Sequence, residues 1–132
     1  MERNDLMNPM VLCYNLRSEQ IARLRVLCLR LGIQLRIVEQ EEFALPVGVL
    51  AGVAERPETL EEIEPLFDPM LVMAHFRPGM LDAFLNGFRQ SRIPSVKLKA
   101  MLTGTNAAWS AAKLHREIRA EHEQMEAMRK QK

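Results

Sequence analysis

Aromatic side chains are scarce in this chain, which has one Trp, one Tyr and five Phe among 132 residues. So few rings offer little on which nucleic-acid bases could stack, and the basic residues of the final third alternate with acids instead of forming a stripe. Both features argue against a nucleic-acid partner. Cysteine is scarcer still: Cys13 and Cys28 each fall inside an apolar stretch, which is no disulfide framework. A charged start, apolar centre and small-residue cleavage site are also missing, so the expected location is a reducing cytoplasm. No apolar run approaches the roughly 20 residues that span a bilayer, and a soluble protein is expected. No Gly-rich loop follows the first strand-like run, which excludes a P-loop and a dinucleotide fingerprint. His115 and His122 stand two turns apart on one helix, too far to share a metal ion without other ligands. No cofactor is implied.

What the chain has in quantity is apolar residues, 48% of the total, enough for a substantial core in one domain spanning 1–132. Its net charge of +1 hides an uneven distribution: +3 over residues 1–38, −8 over 39–88 and +6 over 89–132. In the plainest reading, acidic and basic surfaces of one monomer offset each other. The other is that the basic final third meets an acidic ligand or partner.

Two runs are apolar almost without interruption, Met10–Tyr14 and Met70–Phe76. Two others alternate, Ile33 to Ile37 and Val96 to Met101. Continuous apolar strands belong where both sheet faces are covered, and alternation marks a wetter strand, so the first pair is central and the second pair peripheral. Between the first two strands, Ser18 caps a helix whose Ile21, Leu24, Leu27, Cys28 and Leu31 share a face until Gly32 stops it. Between the last two, residues 79–90 place Leu81, Phe84, Leu85 and Phe88 on one face. Strands alternating with helices predict a three-layer α/β domain with a mainly parallel sheet of about four strands. Its order is 2-1-3-4, a truncated flavodoxin-like arrangement closed by a long C-terminal helix. Residues 39–68 form an irregular acidic crossover, with LPVGVLAG a short helix or an extra strand and Thr59–Glu64 a short acidic helix. The last helix runs from about Asn106. Its Ala111, Leu114 and Ile118 face the sheet, Glu121 and His122 interrupt the stripe, and residues from about 119 to 132 project, fray or pack on another chain.

In a parallel sheet, ligands sit beyond the carboxyl ends of the strands where the strand order reverses. That places Asn15 and Arg77 on converging loops, joined by Lys99, Thr103, Thr105 and Asn106 from the fourth strand. Cations, hydroxyls and free N–H groups together suit a small anion. Each has a plainer role as well. Thr105 suits the N-cap of the last helix, Thr103 and Asn106 can close their own turn, Trp109 can pack on the sheet or on 39–68, and Arg77 can solvate a loop. His75 can be structural or an acid/base. Other catalytic patterns fail: Cys13 and Arg17 have the wrong spacing for a cysteine-phosphatase loop, and the third strand ends in His75-Phe76 where a receiver phosphoacceptor needs Asp. Asp5 lies too far upstream to supply an acidic pocket.

The stretch Lys99-Ala-Met-Leu-Thr-Gly-Thr-Asn-Ala-Ala-Trp109, with Ile93-Pro94 before it and the start Val11–Leu16, resembles a family of small bacterial proteins catalogued as a domain of unknown function, DUF3783. The resemblance takes in nearly the whole chain, Leu45–Gly52 included, and Leu-Thr-x-Thr-Asn-x-x-Trp is its most specific part. Similar proteins often have Pro where Gly104 stands. The resemblance implies no established activity, cofactor or partner. The expectation is a non-catalytic cytoplasmic domain that binds a small anionic ligand or a protein partner at its strand-end rim. The alternative is an interaction or dimerisation module that uses the acidic crossover and the Met125/Met128 end of the last helix. A third reading is an enzyme with His75 as acid or base.

Overall fold

In the computed structural model, residues 8–130 are described, and Asp5 lies outside them. The two uninterrupted apolar runs form β1 (Met10–Tyr14) and β3 (Met70–Ala74), side by side at the centre of a four-stranded sheet. The alternating runs supply the edges, β2 (Gln34–Ile37) and β4 (Leu98–Met101), and the order is β2-β1-β3-β4. Helix α1 (Ser18–Leu31) ends where Gly32 turns left-handed at φ 73°, and α3 (Met80–Gln90) starts after Gly79 at φ 82°. Their Leu24, Leu27, Cys28, Phe84 and Phe88 bury one sheet face over Val11, Cys13, Leu71 and Met73.

The opposite face is covered by the crossover, the one-turn helix α2 (Val47–Leu50) and α4 (Ala111–Lys130). There Leu12, Tyr14, Met70, Val72 and Leu98 meet Phe43, Val47, Leu50, Leu66, Ala111 and Leu114. Within LPVGVLAG, Val47–Leu50 is helical and no strand forms. Thr59–Glu64 forms no helix: Leu60 and Ile63 pack onto this core from a segment without regular secondary structure whose Glu61, Glu62 and Glu64 are exposed. Ser18 is the first helical residue of α1 and not its cap. The backbone N–H of Arg17, one residue earlier, donates to Gln20 Oε1 at 2.9 Å.

The sheet is mainly parallel, as expected, with one exception at its centre. β1 pairs with β2, and β3 with β4, in parallel, but β1 and β3 run antiparallel, with Met10 opposite Ala74 and Tyr14 opposite Met70. The crossover explains the reversal. Asn15 Nδ2 donates to the carbonyls of Leu66, at 2.9 Å, and Asp68, at 3.2 Å, so the chain reaches β3 beside the carboxyl end of β1 and has to run back along it.

Candidate functional site

That reversal decides where the expected site residues lie. Asn15 sits at the carboxyl end of β1, which is the amino end of β3, so it and Arg77 lie at opposite ends of the central strands and do not converge. Its side-chain amide is spent on the crossover. His75, at φ 63° after the last residue of β3, points its Nε2 at the Ala51 carbonyl, 3.0 Å away, and so ties α2 to the strand end. Arg77 is exposed on the following loop.

Lys99, Thr103 and Asn106 do come together. They line a groove of about 440 Å³ between the free edge of β4 and α4, opposite Glu117 and Glu121. Most of its polar groups are already engaged. The Thr103 N–H donates to Asn106 Oδ1 at 2.8 Å, the Asn106 N–H donates to Thr103 Oγ1 at 3.0 Å, and Asn106 Nδ2 donates to the Met101 carbonyl at 3.0 Å. This is a reciprocal turn closure that satisfies its own donors locally. Lys99 Nζ donates to the Val96 carbonyl, and partial burial lowers its pKa below the ordinary lysine value. One such cation facing two carboxylates makes a poor cradle for an anion.

Thr105 is exposed and outside this groove, and its side chain caps nothing. The expected continuous helix from Asn106 is broken: Asn106–Ala108 is a single 3-10 turn, Trp109 is extended at ψ 143°, and α4 begins at Ala111. The cap falls instead to Ser110, whose Oγ accepts the Lys113 N–H at 3.3 Å. Trp109 packs on the core below the crossover, its carbonyl accepts the Val47 N–H at 2.8 Å, and Lys113 Nζ lies 5.0 Å from its ring centre.

Two further grooves run along α4, one of about 450 Å³ bordered by Lys97, His122 and Glu123 and one of about 360 Å³ beside Phe67 and His115. They share Asp68 and Arg119, and Asp68 Oδ2 lies 2.8 Å from His115 Nε2. Sequence reasoning missed this pair, because the partners are 47 positions apart and the antiparallel entry of β3 brings them together. Both thiols are buried, and burial pushes the pKa of Cys13 and of Cys28 up to about 12, which keeps them protonated at neutral pH. Among the described residues, no group of three or more His, Cys, Asp or Glu side chains is placed to hold a metal ion, and no helix is long and apolar enough to cross a membrane.

The element common to these grooves is α4, and the segment that leads into it carries a family signature. Residues 69–125 match the family described as "Domain of unknown function (DUF3783)". The second half of this chain is similar to that family. The match begins at Pro69, takes in β3, α3 and β4, and ends at Met125 inside α4, so Val11–Leu16 and Leu45–Gly52 lie outside it. No curated protein and no solved structure matches the chain.

Proposed function

We propose that this protein is a non-catalytic interaction module of the bacterial cytoplasm, as its similarity to DUF3783 over 69–125 allows, and that the outer half of α4 binds a second copy of the chain. One observation carries the reading. The stripe that buries Ala111 and Leu114 and half-buries Ile118 continues at heptad spacing through Glu121 to Met125 and Met128, which are 70% and 63% exposed. A seam that begins in the core and continues past it suits a second helix with the same seam, and Glu121 at one seam position favours a defined register over nonspecific sticking. Five cations and four carboxylates alternate along α4, so two copies can approach without net repulsion. Phe67, 74% exposed on the crossover beside α4, extends the apolar surface.

The anionic-ligand reading has less support, since Thr103 and Asn106 bond each other, Asn15 lies at the far end of the strands and Glu117 and Glu121 face Lys99. His75 as acid or base is weakened in the same way by its bond to the Ala51 carbonyl. Truncation after Ile118 tests the proposal. It should lower the mass in solution without unfolding the domain, because the buried contacts of α4 end with the Ala111–Ile118 segment. An unchanged mass in both proteins contradicts self-association. A rise in melting temperature with phosphate, lost in Lys99→Ala, would favour the anion instead.

A further inference from the structure

The antiparallel β1–β3 seam relates the two halves of the chain in detail. Each residue of β1 has a counterpart 60 positions on in β3, and the pairing respects it: Met10 faces Ala74 while Tyr14 faces Met70, and Val11 faces Met73 while Cys13 faces Leu71. Any antiparallel pair is reciprocal in this way; what marks an interface between identical units is that the same offset of 60 recurs outside the strands. A two-fold axis predicts that counterparts on the axis touch each other, and they do so in both layers. Leu12 faces Val72 in the sheet, and in the helices a Cβ placed on Gly87 would lie 2.5 Å from Leu27 Cδ1.

The equivalence extends along both halves. Asn15 and His75 both turn left-handed directly after their strands, at φ 62° and 63°, and Gly32 and Arg92 do so after their helices, at 73° and 57°. The edge strands keep the same register, Met10 with Gln34 and Met70 with Leu98, after four extra residues before β4. Both edge strands leave by the same bond, Val38 N–H to the Cys13 carbonyl at 3.0 Å and Leu102 N–H to the Met73 carbonyl at 2.8 Å. Both then close a corner with a side chain three residues on, Glu42 accepting the Glu39 N–H at 3.1 Å where Asn106 accepts that of Thr103.

We infer that residues 9–50 are a second copy of the unit that the family match covers at 69–125, and that the β3/α3 face of this unit is a self-pairing surface whose partner is another copy of the unit, supplied here by the same chain. Sequence identity is nearly gone, with Pro9/Pro69, Met10/Met70, Arg17/Arg77 and Ile33/Ile93 the matches over 9–33 and 69–93. Burial has kept the pattern that sequence lost, for α1 and α3 bury and expose the same positions almost residue for residue. The inference rests on the sheet and its two helices, independently of the outer half of α4.

A self-pairing surface is indifferent to which copy carries which residue, so exchange across the axis tests it in the full chain. Leu27→Gly alone opens a cavity and Gly87→Leu alone overpacks the same contact, and each should lower the melting temperature by about 10 °C. L27G/G87L rebuilds the contact with its sides reversed and should melt within about 5 °C of the parent. The L12V/V72L exchange should change the melting temperature by no more than a few degrees. A double exchange that loses as much as its two single changes together, or fails to fold, overturns the inference. So do single changes at 27 and 87 without effect.

Discussion

The two halves of the molecule differ most beyond their second strands. The first closes its corner at Glu39–Glu42 and stops after a four-residue helix, Val47–Leu50, before the chain turns irregular. The second closes its corner at Thr103–Asn106 and continues into a twenty-residue helix, Ala111–Lys130. The short version shows how little helix this face of the sheet needs. In the long one the buried residues are Ala111 and Leu114, so most of α4 lies beyond what packing requires. Sequence that packing does not require is the natural place to look for function, and this directs attention to the outer half of α4.

The comparison can be tested by substitution, starting with the inner part of the long helix. Leu114 is 2% exposed, and Leu114→Ala should cost about 3 kcal/mol by chemical denaturation, the usual scale for a core leucine that leaves a cavity. The corners come next. Asn106→Ala removes the partners of the Thr103 N–H and the Met101 carbonyl in a buried site and should cost about 2 kcal/mol. Glu42→Ala, at the more exposed counterpart, should cost about 1 kcal/mol, even though Glu42 also meets Arg36 at 2.7 Å.

Titration separates the halves differently. Cys13 and Cys28 belong to the first unit, and their counterparts Met73 and Phe88 do not ionise. With thiol pKa values of about 12 in the folded chain against an ordinary 9.0, both states hold the proton below pH 9 and the contribution to stability is complete. Above pH 9 the unfolded chain loses protons that the folded chain keeps. Stability then falls toward pH 12 by roughly 1 kcal/mol per pH unit for each thiol. Thermal melts across this range should show the slope, and a Cys13→Ala, Cys28→Ala variant should lose part of it. The smallest effect belongs to the outer helix, where Met125→Ala should change monomer stability by less than about 0.5 kcal/mol.

Much of the architecture was legible in the sequence. Uninterrupted apolar runs marked the central strands and alternating runs the edges, which gives the order β2-β1-β3-β4. The direction of each strand was not legible, because a strand buried on both faces carries the same apolar run whichever way it points. The reversal was set by the Asn15 bonds to Leu66 and Asp68, which no local pattern announces. The candidate site is affected accordingly: Lys99, Thr103 and Asn106 line one groove because they are neighbours in the chain, whereas Asn15 lies at the opposite end of the strands. Ser110 was overlooked as the helix cap because Thr-Gly-Thr-Asn looked like a helix start, and those side chains close the preceding turn instead. The internal repeat escaped because it survives in burial and register and hardly at all in residue identity.

The solution mass of the full chain, followed by light scattering or sedimentation over a wide concentration range, tests the central claim most directly. The account predicts a rise from 15.2 kDa toward twice that value, abolished by Met125→Glu with Met128→Glu while the melting temperature holds. A mass of 15.2 kDa at every concentration in both proteins would contradict it.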